Sequence, residues 1–233
     1  MLAAVALLAA CSPDEEDGIT SDAVNLAVFV PFTTEDGVKL RGRRFGTGEV
    51  FVILAHMFPS EQTSWYPFAR VLEENGYSAF TLDFRGYGVS EGKREISEID
   101  KDLLAAIELA RSEGARQVFL VGASMGGTAA LKVAAHRSVA GVVAISAPVE
   151  FLGLDVTEDV ALVEEPKLFV ATEDDRSAAI NASTLFESAQ GSKELEVFAG
   201  SAHGTNIFSS EIGAELEALI LEFLATHTLN NGG

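Results

Sequence analysis

Apolar residues along the chain follow two alternating patterns, one with the length of a buried strand and one with helical spacing. Runs of strand length lie at 50–55, 77–83, 117–122, 139–145, 167–171 and 194–198. Segments with helical spacing or alanine-rich composition lie at 62–74, 96–111, 127–136, 178–188 and 212–225. Strands that alternate with helices need right-handed crossovers, so the pattern predicts a mostly parallel α/β sheet with helices on both faces.

The start of the folded region has a different pattern. Two stretches with β propensity, 26–32 and 38–45, flank a turn that ends in Asp36 and Gly37, a step that suits positive φ. They predict an antiparallel N-terminal hairpin, which brings the central sheet to about eight strands. The length of 233 residues and the 48% hydrophobic content fit one domain, which we place at 25–229.

The first residues form a separate segment. Residues 1–10 are an apolar run too short to span a bilayer, which is typical of a signal peptide. Leu-Ala-Ala-Cys at 8–11 resembles the lipobox of bacterial lipoproteins, which implies signal removal and acylation of Cys11. The acidic, polar segment 11–24 is then a tether. We expect secretion across the bacterial cytoplasmic membrane and anchoring at the cell envelope through a lipid on Cys11. This lipid is expected to be the only contact with the membrane.

Charge and composition exclude several function classes. Acidic residues outnumber basic ones by 35 to 16, and the resulting charge of −19 should repel nucleic acid and anionic lipid headgroups. We therefore expect no nucleic-acid partner. The sequence has no metal-ligand spacing, phosphate loop or dinucleotide fingerprint, so we predict no metal and no cofactor.

The sharpest chemical signal is Gly-Ala-Ser-Met-Gly-Gly at 122–127, a GxSxG segment between a predicted strand and a predicted helix. This is the context of a nucleophile elbow, with Ser124 as the nucleophile. Small neighbours at Gly122 and Gly126 let strand and helix approach closely enough for a strained serine backbone. The N–H of Met125, at the helix N-terminus, is a candidate donor to an oxyanion.

A serine hydroxyl becomes a good nucleophile only when a base takes its proton and a carboxylate orients that base. His203 follows the last predicted strand, at the end of the sheet where Ser124 emerges. The loop after the strand at 167–171 supplies two candidate acids, Asp174 and Asp175, and the order serine, acid, histidine is the one this architecture uses. Two other histidines are predicted to be surface residues: His136 and His227.

Further segments add to these residues, and together they resemble an α/β-hydrolase from about residue 26 to the closing helix. The segments are Asp-Gly-Val-Lys-Leu at 36–40, His-Met-Phe-Pro at 56–59 and Asp-Phe-Arg-Gly-Tyr-Gly-Val-Ser at 83–90. The resemblance implies the α/β-hydrolase fold. We expect His56 to brace its loop, because it precedes the nucleophile, and Arg85 to form a structural salt bridge.

The resemblance also orders the remaining candidates. The family's acid commonly falls three residues after a small residue that ends its strand; Thr172 with Asp175 fits, so Asp175 is preferred and Asp174 is held in reserve. The family usually has His-Gly-x-Pro where this chain has His-Met-Phe-Pro, so Met57 stands in the place of the glycine. The second oxyanion donor is therefore left open between the N–H groups of Met57 and Phe58.

The expected reaction is acyl transfer, because the family members that form alkyl-enzymes carry aspartate where this chain has Ser124. We predict hydrolysis of carboxylic esters with small to medium acyl chains, through an acyl-enzyme on Ser124 and with His203 as general base. Two alternatives remain open: a serine peptidase of similar fold, and a non-catalytic hydrolase-like binding protein.

The substrate pocket is predicted from the segment that carries a cap in many members of the family. Residues 148–165 are too few for a folded cap domain and predict a brief lid at most, which leaves an open cleft for a small-molecule ester. Candidate residues for an apolar acyl pocket are Phe58, Trp65 and Phe151.

Overall fold

A computed structural model of the protein describes residues 27–229. The predicted signal peptide at 1–10, the predicted lipidation site Cys11 and the whole predicted tether at 11–24 lie outside the described residues and stay predictions. Within the described range, none of the helices combines the length and the apolar character needed to cross a bilayer.

Ten strands and five α-helices are described. The strands are β1 (Val28–Thr33), β2 (Lys39–Phe45), β3 (Val50–Ala55), β4 (Ser78–Asp83), β5 (Gln117–Ala123), β6 (Gly141–Ile145), β7 (Glu150–Phe151), β8 (Leu154–Asp155), β9 (Lys167–Thr172) and β10 (Lys193–Phe198). The α-helices are α1 (Tyr66–Glu74), α2 (Ile99–Ser112), α3 (Met125–Ala134), α4 (Arg176–Ser188) and α5 (Gly213–His227).

Eight of the strands form one sheet in the order β1-β2-β4-β3-β5-β6-β9-β10. The β1–β2 hairpin is antiparallel, and β2 also pairs antiparallel with β4. From β4 to β10 all neighbouring strands run parallel. The predicted sheet, including the N-terminal hairpin, is confirmed.

Apolar side chains cover both faces of the sheet, as expected when successive residues of a strand point to opposite sides. On one face, Phe51 and Ile53 belong to an apolar cluster that includes residues of α2, α3 and α4. On the other face, Val52 and Leu54 pack in a cluster with residues of α1 and α5. The prediction of helices on both faces is confirmed.

The helix predicted at 62–74 begins differently from the expectation. Its first residues form a 3₁₀ turn (Gln62–Trp65), and the α-helix starts at Tyr66 with Pro67 in its first turn. Proline is tolerated there because the first N–H groups of a helix have no intrahelical partner.

Several connections leave the sheet at one edge, because the carboxyl ends of parallel strands meet there. The loops after β3, β5, β6, β9 and β10 all emerge at this edge. Between β6 and β9, where the sequence predicts a brief lid, the chain forms the small antiparallel hairpin β7–β8 and one 3₁₀ turn (Asp159–Leu162).

Candidate active site

Ser124 lies in a sharp turn between β5 and α3, with φ 49° and ψ −120°. This conformation is costly for a residue with a side chain, and such strain is concentrated at functional sites. A Cβ on Gly122 would lie 2.2 Å from the carbonyl oxygen of Gly126, and one on Gly126 would lie 2.3 Å from that of Ala55. The two glycines of the GxSxG segment are therefore needed for the close packing of α3 on β5 and β3.

His203 and Asp175 are joined by a hydrogen bond of 2.5 Å between Nδ1 and Oδ2. An ionised carboxylate only accepts, so Nδ1 is the donor and Nε2 carries the lone pair. Asp175 is also the N-cap of α4, where its Oδ1 accepts from the N–H of Ala178 at 3.4 Å. Asp174 is exposed, and its backbone N–H donates to the carbonyl of Gly200. The structure thus places Asp175, and not Asp174, against His203.

The loop that carries His203 is attached to the ends of two strands. The Oγ1 of Thr172 donates to the carbonyl oxygen of Ala202 at 2.8 Å, and the N–H of Gly204 donates to the Oγ of Ser146 at 3.0 Å. Both neighbours of His203 are therefore held by side chains at the carboxyl edge of the sheet.

Ser146 was missed in the sequence. It follows β6 directly, is 1% exposed and has φ 51°, a left-handed backbone that is uncommon for serine. A useful signal was available: Ser146 stands after a buried strand, as Ser124 does after β5. Polar residues directly after parallel strands deserve to be considered as candidates because all of them reach the same edge.

A cavity of about 270 Å³ at this edge brings the predicted residues together. Ser124, His203, Phe58 and Phe151 all line it, and the rings of Phe58 and Phe151 are 5.7 Å apart between centroids. The remaining residues of its wall were not predicted: Ser146, Pro148, Ser177, Ala178 and Asn181.

Of the three residues predicted to supply oxyanion donors, Phe58 lines this cavity, whereas Met125 and Met57 do not line it. The backbone N–H groups of Gly127 and Thr128 donate to the carbonyl oxygen of Ser124, and these hydrogen bonds begin α3. The N–H of Met125 comes before them in the first turn, so it has no acceptor within the helix. The partial positive charge of the helix N-terminus lies at this point. The side chain of Met57 packs against Gly204, where an added Cβ would meet its Sδ at 2.6 Å.

His56 is fully buried and forms two hydrogen bonds. Its Nε2 accepts from the N–H of Phe84 at 3.2 Å, so Nδ1 carries the proton and donates to the carbonyl oxygen of Met57 at 3.0 Å. Burial lowers the pKa of His56 to about 4, because the charged imidazolium loses its hydration. His56 is therefore a neutral brace between two loops, as the sequence predicts.

A pH dependence of stability follows from His56. The unfolded imidazole takes up a proton near pH 6.5 and the folded one only near pH 4. The free energy of unfolding should therefore fall between pH 6.5 and 4, by on the order of 3 kcal/mol from this group. Urea titrations of wild type and His56→Gln, whose amide keeps a donor and an acceptor, measure the effect. Equal pH slopes for both proteins would contradict it.

Arg85 forms a buried ion pair, as the sequence predicts. Its guanidinium bonds Asp102 of α2 at 2.7 Å and Asp36 of the N-terminal hairpin turn at 2.8 Å. The hydrogen bond from Arg85 lowers the pKa of Asp36 to about 2. Arg85 ties the hairpin to α2, and it does not line the cavity that holds Ser124.

Comparison with known proteins bears on this arrangement. Residues 49–152 match the Hydrolase_4 family, described as serine aminopeptidase, S33. The esterase Pf2001 of Pyrococcus furiosus aligns with a TM-score of 0.78 at 21% identity, covering 88% of this chain and 94% of the esterase. A monoacylglycerol lipase of Paleococcus ferrophilus aligns with a TM-score of 0.72 at 21% identity, covering 81% and 99% of the two chains. The described part of this chain therefore has the α/β-hydrolase fold.

A curated relative is similar to this chain over a shorter region. The uncharacterized protein YfhR of Salmonella typhi is 29% identical over 120 residues, which is 47% of this chain and 41% of the relative. The match therefore spans less than half of that protein. The solved structures are less than 25% identical and show the fold alone.

The structure corrects the prediction for Trp65, which was wrong. Trp65 is fully buried and packs against Phe68 and Phe208, with ring centroids 6.2 and 5.5 Å away. It belongs to the apolar cluster on the α1 and α5 face of the sheet and does not line the cavity. Its spacing of three from Phe68 was the signal for core packing, and burying so large a ring stabilises the core.

The two remaining histidines do not line the cavity. His136 is exposed and bonds Asp159 at 2.7 Å, as expected for a surface residue. His227 is only half exposed, because its ring packs against Phe223 with centroids 4.8 Å apart. Across residues 27–229, no group of three or more His, Cys, Asp and Glu side chains is placed to hold a metal ion.

Proposed function

We propose that this α/β-hydrolase is a serine esterase that cleaves carboxylic esters with small to medium acyl chains through an acyl-enzyme on Ser124. The observation that carries the proposal is one cavity lined by both Ser124 and His203, whose imidazole donates to Asp175. The strained backbone of Ser124 supports the same conclusion, since strain of this kind is retained where the chemistry needs it.

The proposed reaction uses Nε2 of His203 as the base. It takes the proton of Ser124 as Oγ forms a bond to the ester carbonyl carbon, and Asp175 stabilises the resulting imidazolium. The oxyanion accepts from the N–H of Met125 and from a second N–H, of Met57 or Phe58. His203 then protonates the alkoxide as the ester C–O bond breaks, and an alcohol leaves.

Deacylation reverses these proton transfers. A water molecule gives a proton to Nε2 of His203 while its oxygen attacks the acyl carbon. The bond between that carbon and Oγ of Ser124 breaks, the proton returns to Ser124, and a carboxylic acid leaves. Acylation and deacylation therefore use the same residues and need no further group.

The size of the cavity supports a small substrate. Its volume of about 270 Å³ lies just below the range of roughly 300–1,000 Å³ that is usual for drug-sized ligands. Phe58, Pro148, Phe151 and Ala178 supply an apolar wall suited to an acyl chain. The esterase and lipase names of two structural neighbours agree with this choice of bond.

A serine aminopeptidase is a second candidate, favoured by the description of the matching family. Such an enzyme must bind the α-ammonium group of its substrate, and an acidic side chain is the usual partner for a buried cation. The described residues that line the cavity include no Asp or Glu. This favours the ester.

A substrate panel tests the proposal. We expect p-nitrophenyl acetate and butyrate to be hydrolysed with higher kcat/KM than the octanoate, because the cavity is small. We expect the wild type to cleave aminoacyl p-nitroanilides no faster than the Ser124→Ala variant does. Cleavage of the anilides with a kcat/KM above that of every ester would assign the enzyme to the peptidases. No turnover of any ester above the Ser124→Ala background would overturn the esterase proposal.

A further inference from the structure

The outer wall of the cavity comes from the segment after β6, and two helices hold its base. We call residues 148–156, which include β7 and β8, the lid hairpin. On one side, the Oγ1 of Thr128 in α3 donates to the carbonyl oxygen of Pro148 at 2.7 Å. On the other side, the Oδ1 of Asn181 in α4 accepts from the N–H of Val149 at 3.0 Å. Thr128 is fully buried.

The amide of Asn181 is oriented by a second hydrogen bond. Its Nδ2 donates to the carbonyl oxygen of Ser177, one turn earlier in α4, at 2.7 Å. This leaves Oδ1 to accept from Val149. The carbonyl oxygen of Val149 in turn accepts from the N–H of Val156 at 3.0 Å, which closes the neck of the lid hairpin.

These contacts determine where Phe151 lies. Leu154 and Val156 are fully buried on the inner side of the lid hairpin, whereas Leu152 at its tip is 62% exposed. Phe151 lines the cavity and packs against Phe58. The aromatic pair therefore bounds the space for an acyl chain, and its distance from Ser124 depends on how firmly the base of the lid hairpin is held.

We propose that Thr128 and Asn181 are positioning residues that hold the lid hairpin over the acyl pocket and restrict the enzyme to short-chain acyl esters. This inference rests on the proposed esterase function. A longer acyl chain has to displace Phe151, and the two hydrogen bonds at Pro148 and Val149 oppose that displacement. Loss of either bond should admit longer chains.

Thr128→Val is the main test because it keeps the shape of the side chain and Thr128 does not line the cavity. We expect the ratio of kcat/KM for p-nitrophenyl octanoate to that for the acetate to rise about tenfold, through a lower KM for octanoate. The kcat for acetate should stay within about threefold of wild type. Thr128→Ser restores the hydroxyl and should restore the wild-type ratio.

Asn181→Leu removes the second contact from a different helix, and it should shift the same ratio in the same direction. Ser183→Ala is the matched control on α4, because its hydroxyl donates within the helix to Ala179 and should leave the ratio unchanged. A wild-type ratio in either Thr128→Val or Asn181→Leu would overturn the inference, because loss of either hydrogen bond is expected to admit longer chains. A fall in acetate kcat for Thr128→Val with an unchanged ratio would overturn it as well, since Thr128 would then act on the nucleophile. Failure of the wild type to hydrolyse any ester would instead refute the proposed function.

Discussion

Ser124→Ala is expected to lower kcat for p-nitrophenyl acetate by roughly 10⁴-fold or more, because it removes the oxygen that we propose forms the acyl-enzyme. The change removes one oxygen from a side chain that is 7% exposed, and alanine bears the same strained backbone as serine at φ 49°. Folding should therefore be retained. Steady-state kinetics together with far-ultraviolet circular dichroism measure the two properties separately.

Labelling with a fluorophosphonate gives an independent readout of the same variant. Wild type should be labelled at one site, and Ser124→Ala should not be labelled. Ser183→Ala is the matched control, since it deletes a hydroxyl that bonds only within α4 and should keep full labelling and activity. Activity of folded Ser124→Ala within tenfold of wild type would refute the assignment of the nucleophile.

Asp175→Asn should have the second largest effect, a loss of roughly 10³- to 10⁴-fold in kcat. An amide can donate to Nδ1 of His203, which favours the tautomer whose Nε2 carries the proton and cannot act as a base. Asparagine is as good an N-cap as aspartate, so the start of α4 should be preserved. The comparison of kcat between wild type and variant, at matched stability, measures the role of the carboxylate in the reaction.

Asp174→Asn is the matched control for this experiment. It makes the same change of charge one residue earlier, at an exposed side chain, and kcat should change by less than about twofold. If Asp174→Asn lost activity and Asp175→Asn kept it, the assignment of the acid would be reversed.

The chemistry-bearing residues were accessible from the sequence because each follows a recognisable strand. Ser124 stands directly after the apolar strand β5 and His203 stands in the loop after β10, and the topology of a parallel sheet brings the ends of such strands together. The choice of Asp175 over Asp174 needed the resemblance to known hydrolases. The two residues are adjacent aspartates in the same loop, so the sequence pattern alone does not distinguish them. The fold followed from the alternation of strands and helices, with element ends shifted by a few residues.

The wall of the cavity was harder to predict, for a physical reason. Ser177, Ala178 and Asn181 lie on one face of α4, and which face points to the cavity depends on how the helix packs on β9. Helical spacing identifies an apolar stripe, but it does not distinguish a core contact from a pocket wall. Trp65 shows the same ambiguity: a large aromatic residue near the site in sequence lies on the opposite face of the sheet in space.

The position of Asp175 at the beginning of α4 has a mechanical consequence. The same helix supplies the carboxylate that accepts from His203 and, within two turns, the residues Ser177, Ala178 and Asn181 that line the cavity. A small tilt or fraying of α4 therefore moves the imidazole and the acyl wall together. Under the proposed function, the fit of an acyl group in the cavity and the alignment of the base at His203 would be coupled through this one helix.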